Sequence, residues 1–500
     1  MVQQIRVRYA PSPTGDPHLG NIRTAMFNWL MARHYDGKFI VRIEDTDQKR
    51  YVPEALTNIL EALTWLGLDW DEGPTEDGAS NQGPYAPYIQ SQRLELYRNN
   101  ITVLLSREMA YPCYCTPERL KAIRTEQQSK NLQIGYDRHC RDLGAKQRHE
   151  LELTDTPKVI RFKVPQEGTT SVTDLIRSEI SWQNHLLDDF ILLKSDGFPT
   201  YHLAVVTDDH LMDISHVLRA EEWLPSTPKH ILLYDAFGWE PPHFGHLPMI
   251  LGPDKAKLSK RHGATSTLEY RDWGYLPDAL VNFLALLGWS LDDHTEIFKR
   301  LDLISNFSLD RVSKSGAVFN IEKLEWMNGV YIREMPQSEL AENLIPILER
   351  PEEDGGLPTE IERPIDQSYL LKAVPLIQER IKTLADGPKI LSLFFLDNLT
   401  YDESWMISKE IALPEAVKIL TVITDKLQSH INWTSDSLEI MSRGIAESLL
   451  IQTSPLFRLL RIATTGRTAS PPLFQTMEVL GKDRCLNRLK QALSSVNLGT

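Results

Sequence analysis

The stretch RVRYAPSPTGDPHLGNIRTAMFNWLMARHYDGKFIVRIEDTD, residues 6–47, decides the fold of this chain. Apolar and polar side chains alternate over residues 5–9 and again over residues 39–43, which predicts two strands. Between them, apolar residues recur at helical spacing from about Asn21 to Tyr35, which predicts a helix with one apolar face. Strand, helix and strand in this order build a parallel sheet with a ligand site at the carboxyl ends of its strands. The sequence therefore predicts an α/β fold.

The connection PSPTGDPHLGN, residues 11–21, contains more prolines and glycines than a bare turn needs. Gly15 and Gly20 allow a close approach of the backbone, whereas the prolines fix their own backbone angles. His18 and Asn21 lie where a helix N-terminus offers free N–H groups and the positive end of its dipole, a combination that holds a polyphosphate. Taken alone, the loop is equally typical of a rigid helix cap with a hydrogen-bonded histidine.

Composition limits the class of protein. A chain of 500 residues is expected to form several domains, at about 100 to 200 residues per domain. No apolar run approaches the roughly 20 residues of a membrane span, so we expect no membrane contact. The N-terminus shows no leader pattern and the four cysteines do not resemble a disulfide framework, which indicates a cytoplasmic protein. A net charge of −14 argues against a chain coated by nucleic acid, but local basic patches can still bind phosphates.

Changes in composition and in hydrophobic pattern divide the chain into five segments. The first and third segments carry the strand and helix patterns of an interrupted parallel sheet. Between them, cysteines, a basic stretch and short strand patterns predict an α+β insertion. A loop rich in lysine and glycine follows, and amphipathic helix patterns fill the remainder. The predicted segments are residues 1–110, 111–196, 197–255, 256–335 and 336–500.

A second candidate phosphate-binding motif lies in KAKLSKRHG, residues 255–263. Lys257, Lys260 and Arg261 crowd around Ser259 in a loop without an apolar face. Like charges this close repel one another unless water or an anion neutralises them. A solvated surface loop is the commoner fate of such a run, so the motif gains meaning only in combination with the first loop.

Together the two loops, in an interrupted parallel sheet, resemble the ATP-binding signatures of class I aminoacyl-tRNA synthetases. That class reads HIGH and KMSKS where this chain reads HLGN at residues 18–21 and KLSKR at residues 257–261. Nearly the whole chain resembles the bacterial type of glutamyl-tRNA synthetase, through RYAPSPTGDPHLGN, FIVRIEDTD, GLDWDEGP, PTYHLA, VLRAEEWLPSTP, KLSKR and EKLEWMNGVYIRE. HLGN lacks the final histidine of HIGH, at a position where the family varies.

This resemblance implies a Rossmann-like catalytic domain in two halves, an insertion that binds the acceptor end of tRNA, a stem-contact domain with the lysine loop, and an all-α anticodon-binding region. It implies a ligase that activates L-glutamate with ATP, releases pyrophosphate, and transfers glutamate to the 3′ end of tRNA(Glu). Because a substrate carboxylate attacks the α-phosphate, catalysis needs positioning and charge neutralisation rather than a protein nucleophile. The implied catalytic residues are His18, Lys257 and Lys260. ATP, with Mg²⁺, would be bound by His18, Gly20, Asn21, Lys257, Ser259 and Lys260.

The same resemblance supplies a glutamate pocket. The matching positions are Arg8, Ala10, Ser12, Glu44, Tyr201 and Arg219. Glu44 would face the ammonium group of the substrate, and Arg8 and Arg219 would face its two carboxylates. A guanidinium suits that task because its planar fork pairs with a carboxylate through two hydrogen bonds.

Cysteines in the insertion form a candidate metal site. Three thiolates and one oxygen can close a tetrahedral zinc site that staples a small domain. Some members of the family bind zinc at the positions of Cys113, Cys115 and Cys140. As the fourth ligand, Asp142 stands where they often carry histidine, and Tyr136 is the competing oxygen ligand. Such a zinc ion would be structural, and ordinary buried cysteines are the alternative.

Contacts with tRNA require local basic surface on this acidic protein. The candidates are Arg119, Lys121, Arg124, Lys130, Arg138 and Arg141 in the insertion, and Arg458, Arg461 and Arg467 in the helical region. Members of the family often carry an arginine that discriminates the third anticodon base, and an ungapped placement puts Gln378 there. If that placement holds, tRNA(Gln) is a second substrate.

Related proteins suggest alternative functions for this chain. A glutaminyl-tRNA synthetase would carry a β-barrel anticodon domain, whereas this tail has helical periodicity, and the shorter glutamyl-queuosine-forming relative lacks such a tail. A non-catalytic paralogue that only binds tRNA would have no need of the motif residues, which are intact here. We expect a monomer whose partners are tRNA, glutamate and ATP.

Overall fold

The computed structural model describes residues 4–153, 156–259, 261, 263, 266–406 and 411–497. The chain forms two compact units, Met1–Tyr270 with Pro277–Ile321, and Arg271–Leu276 with Glu322–Thr500. Within the described ranges, the first unit is α/β and the second is helical. No helix in those ranges is long and apolar enough to cross a membrane. The five segments expected from composition and hydrophobic pattern remain a prediction.

The strands all belong to the first unit. They are β1 (Arg6–Tyr9), β2 (Lys38–Val41), β3 (Gly73–Pro74), β4 (Asn81–Gln82), β5 (Ala110–Cys113), β6 (Val159–Phe162), β7 (Thr169–Asp174), β8 (Ser178–Gln183), β9 (Ile191–Leu193), β10 (His216–Ala220), β11 (His243–Leu247), β12 (Ile250–Leu251) and β13 (Ala317–Val318).

The helices occur in both units. Those of the first unit are α1 (Leu19–His34), α2 (Pro53–Trp65), α3 (Leu94–Ser106), α4 (Pro117–Ser129), α5 (Ala145–Leu153), α6 (Tyr201–Leu211), α7 (Thr227–Phe237), α8 (Thr267–Asp272), α9 (Pro277–Leu286) and α10 (Arg300–Asn306). Then follow α11 (Ile321–Glu334), α12 (Gln337–Leu348), α13 (Gln367–Ile377), α14 (Gly387–Phe395), α15 (Glu403–Met406), α16 (Leu413–Ser429), α17 (Ser435–Ser448), α18 (Thr453–Thr465), α19 (Leu473–Leu480) and α20 (Lys482–Asn497).

Parallel strand pairs form the centre of the first unit. β1 pairs with β2, and β10 pairs with β11, each in parallel. The Ser215 N–H, just before β10, donates to the Arg6 carbonyl of β1 at 3.0 Å, so the two pairs join across 209 positions of sequence. Strands β5 to β9 lie between them along the chain. The prediction of a parallel arrangement interrupted by an insertion is confirmed.

Helix α1 is buried along most of its circumference, whereas the sequence predicted one apolar face. Its buried residues include Arg23, whose Nη1 donates to the Leu287 carbonyl at 2.6 Å. Phe27 packs against Phe307 with ring centroids 5.6 Å apart. The prediction was wrong on this point because residues 287–307 cover the face that would otherwise meet water.

The insertion has two parts. Strands β5, β6 and β9 form an antiparallel sheet in that order, and β7 and β8 form a separate hairpin. The Leu175 N–H in the turn of this hairpin donates to the Phe244 carbonyl of β11 at 2.8 Å. One end of the insertion therefore lies directly against β11.

The second unit is a helical assembly around an apolar core, as predicted. Arg488 of α20 is fully buried at its centre. Its Nη1 donates to the Thr464 carbonyl at 2.8 Å, and its Nη2 donates to the Leu393 and Leu396 carbonyls at 2.7 and 2.6 Å. These carbonyls lie at the ends of α18 and α14, where a helix leaves acceptors unpaired. One guanidinium thus donates hydrogen bonds to unpaired carbonyls at two helix C-termini.

Replacing Gly37 with Ala should destabilise the first unit. An added Cβ would lie 2.4 Å from the carbonyl oxygen of Ile5, which accepts from the Lys38 N–H at 2.8 Å. Relief requires a backbone shift between α1 and β2, at a cost of about 1–3 kcal/mol in the free energy of unfolding. Thermal unfolding should therefore show a lower melting temperature.

Gly444→Ala is the matched control. Gly444 lies within α17, and an added Cβ meets no atom within 4 Å. Because Ala is the better helix former, this change should stabilise its helix by about 0.5–1 kcal/mol. An unchanged melting temperature for Gly37→Ala would contradict the close approach to Ile5.

Candidate active site

The carboxyl ends of β1, β2 and β10 meet at one edge of the parallel strands. Four of the residues that are predicted to bind the substrate glutamate lie there. Arg8 belongs to β1, Glu44 follows β2, and Arg219 belongs to β10. Tyr201, the first residue of α6, lies close enough to all three for their charges to act on its hydroxyl. The structure therefore brings these four residues together from both sides of the insertion.

Two arginines and two carboxylates form a buried network at this edge. Asp209 Oδ1 accepts from Arg8 Nε at 3.1 Å and from Arg42 Nη1 at 2.7 Å. Arg42 Nη2 also donates to Glu44 Oε1 at 2.9 Å. Burial alone would raise the pKa of the Asp209 carboxyl, but the two guanidiniums outweigh it and hold that pKa below its usual value. For Glu44, burial wins over Arg42 and raises the pKa.

Arg219 differs because its hydrogen-bond partners carry no charge. Its Nε donates to His246 Nε2 at 3.0 Å, and its Nη2 donates to Thr227 Oγ1 at 2.8 Å. Its Nη1 lies 3.1 Å from the Tyr201 hydroxyl and 3.2 Å from His230 Nδ1. Burial lowers the pKa of both imidazoles and the guanidinium adds to that shift, whereas Asp174 opposes it at His246 without reversing it. Each ring accepts from Arg219 through one nitrogen, which requires the neutral form. Among the residues that the structure describes, no carboxylate lies within ion-pair distance of Arg219.

The HLGN loop forms the start of α1. His18 Nδ1 accepts from the Asn21 N–H at 3.3 Å, so this side chain caps the helix. A Cβ at Gly20 would lie 3.2 Å from the His18 ring, which explains why a glycine stands there. The predicted ATP residues of this loop therefore lie at the N-terminus of a 16-residue helix, where free N–H groups and the helix dipole favour an anion.

Ala10 and Ser12 continue from β1 into this loop. The Glu44 N–H donates to the Pro11 carbonyl, between them, at 2.9 Å. Ser12 is exposed, and its carbonyl accepts from the Thr14 N–H at 2.9 Å. The backbone that carries the predicted glutamate-binding residues is thus hydrogen-bonded to the backbone that leads into the predicted ATP-binding loop.

Both ends of the lysine loop are tied near the same edge. At its start, the Leu258 N–H donates to the Ile250 carbonyl of β12 at 2.9 Å. At its end, Ser266 forms a β-bridge with His18. The two ATP motifs, which are far apart in sequence, are therefore neighbours in the structure.

Within the lysine loop, Lys257 forms an ion pair with Glu222, and its side chain is half exposed. Burial and the charge of Lys257 together lower the pKa of His18. Ser259 lies in the described part of the loop, whereas Lys260 lies outside the described residues. The structure thus brings Lys257 to His18.

The three predicted cysteine ligands form one group. The Sγ atoms of Cys113, Cys115 and Cys140 lie within 4.8 Å of one another. The Tyr136 hydroxyl lies 3.3 Å from the first of these sulfurs and 3.6 Å from the second. The hydrogen bond between Cys113 and Cys140 lowers the pKa of the first thiol and raises that of the second, so one thiolate forms readily in this group. The side chain of Asp142 is exposed and does not join the group. Three sulfurs and a phenol oxygen fit a tetrahedral site.

The predicted tRNA contacts of the insertion fall into two sets. Lys121 and Arg124 are exposed on α4. Arg141 is almost buried, with its Nη1 2.8 Å from Asp189 Oδ1. Three more of the predicted tRNA contacts form ion pairs with carboxylates of the protein: Arg119, Lys130 and Arg138. Lys121 and Arg124 keep their charge open to a phosphate, and so does Lys130, whose surface ion pair leaves 60% of its side chain exposed.

In the helical region, two predicted phosphate contacts serve the fold. Arg461 Nη1 donates to Ser470 Oγ at 2.5 Å, and Arg467 Nη2 donates to Ser392 Oγ at 2.8 Å. Arg458 is partly exposed. A basic residue near a predicted tRNA surface is therefore not necessarily free to meet phosphate.

Gln378, the predicted anticodon residue, is buried. Its Nε2 donates to the Ile332 and Met335 carbonyls, both at 2.8 Å. These bonds hold the end of α13 against the end of α11. The amide of Gln378 is consequently not presented to a tRNA base.

Sequence reasoning missed the residues that hold the predicted ones. Asp209, which also accepts from Arg42, holds the predicted glutamate contact Arg8. His230 and His246 hold the other predicted arginine, Arg219. One signal was available, because the stretch AVVTDDHL places two adjacent aspartates in an apolar helix. A carboxylate in such a helix must be paired when it is buried.

Comparison with known proteins agrees with this geometry. Residues 4–326 match the family "tRNA synthetases class I (E and Q), catalytic domain", and residues 339–493 match "Anticodon binding domain". The boundary between the two matches falls close to that between the two compact units.

Relatives match over the full length. The chain is 52% identical over 497 residues to a glutamate–tRNA ligase of Dehalococcoides mccartyi, with 99% of each chain covered. It is 46% identical over 491 residues to a glutamate–tRNA ligase of Moorella thermoacetica, with 98% of each covered. The crystal structure of a glutamate tRNA ligase from Elizabethkingia meningosepticum, in complex with its amino acid, superposes with a TM-score of 0.87 at 35% identity, covering 99% of this chain and 100% of that one. The chain therefore belongs to the glutamate–tRNA ligase family of class I aminoacyl-tRNA synthetases.

Proposed function

We propose that the protein activates L-glutamate with ATP and transfers it to the 3′ end of tRNA(Glu). The observation that carries this proposal is Arg219, a buried cation whose protein partners are all neutral. Beside it, Arg8 and Arg42 are balanced by Asp209 and Glu44. Among the described residues at this edge, Arg219 is therefore an uncompensated positive charge, and glutamate carries one net negative charge.

This charge count also favours glutamate over glutamine. A neutral amide would leave a buried guanidinium without an anionic partner, because Arg219 has none in the described protein. The loss of one hydrogen bond to a charged group costs on the order of 1.5–3 kcal/mol. We assign Glu44 to the substrate ammonium, Arg8 and Arg219 to the carboxylates, and Ala10, Ser12 and Tyr201 to the pocket wall.

For ATP, we assign the α1 N-terminus with His18, Gly20 and Asn21, and the lysine loop with Lys257, Ser259 and Lys260. The support is that the loop ends beside His18 and that Lys257 acts on the charge of that ring. Expulsion of pyrophosphate by the attacking carboxylate builds negative charge that lysine side chains stabilise. Mg²⁺, when bound with ATP, supplies further neutralisation of the phosphate oxygens.

Aminoacylation of purified tRNA(Glu) with labelled glutamate, ATP and Mg²⁺ tests the function. The wild-type protein should charge glutamate and not glutamine. Arg219→Met removes the uncompensated charge and should lower kcat/KM for glutamate by about tenfold or more, the factor that one charged hydrogen bond represents.

Arg33→Met is the matched control for that variant. Arg33 forms ion pairs with Asp69 and Asp71 at the end of α1, away from the substrate arginines. Its loss should leave kcat/KM for glutamate unchanged. A folded wild-type protein that charges neither amino acid would overturn the proposed function, and full activity of Arg219→Met would overturn the role of that residue.

We also propose that tRNA(Gln) is a second substrate. The chain carries Gln378 where family members often use an arginine against the third anticodon base, and this amide is engaged with backbone carbonyls. No guanidinium stands at this position to reject tRNA(Gln). The same assay with purified tRNA(Gln) should therefore show glutamate attachment, and charging of tRNA(Glu) alone would contradict the proposal.

For the cysteine group, we propose one structural zinc ion held by Cys113, Cys115, Cys140 and Tyr136. Zinc bound there would cross-link separate parts of the insertion and so stabilise its fold. The metal content of the purified protein should be one zinc per chain. Tyr136→Phe should lower that content and the melting temperature, because the hydroxyl supplies the fourth ligand.

Asp142→Asn is the matched control for the metal site, because Asp142 is exposed outside the group. Its zinc content should equal that of the wild type. Loss of zinc in Asp142→Asn, with retention in Tyr136→Phe, would reverse the assignment of the fourth ligand.

Finally, we propose that the protein acts as a monomer in the cytoplasm. All four of its cysteines are free thiols, as a reducing compartment allows. Light scattering of the purified protein should give the mass of one chain, 57.2 kDa.

A further inference from the structure

Behind Arg219, a buried histidine and a buried carboxylate continue the line of hydrogen bonds. His246 lies directly opposite Arg219 in the register of β10 and β11. Asp174, the last residue of β7, lies behind that histidine, with its Oδ2 2.5 Å from His246 Nδ1. Asp174 and His246 are almost completely buried. The chain of contacts thus runs from the insertion, through β11, to the substrate arginine on β10.

The hydrogen positions along this line of contacts are determined by Asp174 at one end and Arg219 at the other. A carboxylate only accepts, so His246 Nδ1 must carry a hydrogen and donate it to Asp174. A guanidinium only donates, so His246 Nε2 must offer a lone pair to Arg219 Nε, 3.0 Å away. Both demands are met by a single neutral tautomer of the imidazole.

The two oxygens of Asp174 have different tasks. Oδ1 accepts from the Ile176 N–H at 3.0 Å and from the Arg177 N–H at 2.9 Å, in the turn after β7. Oδ1 also accepts from the His246 backbone N–H at 3.3 Å, and only Oδ2 faces the imidazole ring. An amide at this position would have to keep its oxygen toward these three backbone N–H groups. Its NH2 group would then point at His246 Nδ1.

We propose that Asp174 and His246 are positioning residues for glutamate: the carboxylate selects the His246 tautomer, and that tautomer orients the Arg219 guanidinium toward the substrate. The inference rests on the proposed role of Arg219. It extends the glutamate site by two residues that do not touch the substrate, and it makes the β7–β8 hairpin of the insertion a part of that site.

Asp174→Asn is the variant that tests this arrangement. Its NH2 group would donate to Nδ1, so the hydrogen of His246 would move to Nε2 and oppose the N–H of Arg219. The KM for glutamate in tRNA(Glu) charging should rise by about tenfold, the factor that corresponds to one hydrogen bond of a charged group. The KM values for ATP and tRNA should not change. Equal rises in all three would indicate a general structural defect and overturn the proposal.

Glu179→Gln is the matched control. Glu179 lies exposed in β8 of the same hairpin, so its replacement removes the same charge without touching His246. Its KM for glutamate should equal that of the wild type. A rise like that of Asp174→Asn would show that the net charge of the hairpin, rather than the histidine tautomer, is responsible.

A double-mutant cycle with His246→Phe separates the tautomer from other effects. A phenyl ring has neither a donor nor an acceptor at these positions, so it cannot transmit the identity of residue 174 to Arg219. In this background, Asp174→Asn should cause little further rise in KM for glutamate. A rise as large as in the wild-type background would show that Asp174 does not act through His246.

Nitrogen-15 NMR of histidine-labelled wild-type protein gives a readout that needs no folded Asp174 variant. The His246 signals are assigned by their absence from His246→Phe. A hydrogen on Nδ1 and none on Nε2 is expected, and the opposite pattern would overturn the proposal. If Arg219→Met leaves the KM for glutamate unchanged, the proposed role of Arg219 fails. If it raises that KM while Asp174→Asn does not, only the present inference fails.

Discussion

Four buried charges at one edge of the parallel strands constrain both the fold and the site. Arg8 and Arg42 contact Asp209, and Arg42 also holds Glu44. Removal of one partner from such a network leaves another charge buried without compensation, which costs about 3–5 kcal/mol. Asp209 comes from the part of the chain after the insertion, whereas the other three precede it. The ion pairs at the predicted glutamate pocket therefore also join the parts of the first unit that precede and follow the insertion.

Arg219 shows the opposite solution to the burial of a charge. Neutral acceptors, including His230 and His246, satisfy its N–H groups without cancelling its charge. A buried guanidinium in this state is less stable than one in an ion pair, and an anionic ligand offsets that cost when it binds. The site thus combines balanced charges in its architecture with the unbalanced charge of Arg219, to which we assign the recognition of glutamate.

The insertion contributes to the site at two levels. Its cysteine group brings together three sulfurs and a phenol oxygen, which fits a structural metal. Its β7–β8 hairpin reaches the catalytic strands, where Asp174 contacts His246. The segment that the family resemblance assigns to the acceptor end of tRNA is therefore hydrogen-bonded to the histidine that we propose orients Arg219.

The sequence by itself determined the parallel strands, the helical tail and the two ATP motifs, because local periodicity and the order of short motifs encode them. Its resemblance to a known family also predicted Arg8 and Arg219 as glutamate contacts, and that role stays a prediction. Only the tertiary structure decided their partners, the burial of Gln378, and the choice of Tyr136 over Asp142 beside the cysteines. The physical reason is distance: hydrogen bonding, desolvation and charge balance depend on atoms that the fold brings together from remote positions in the chain.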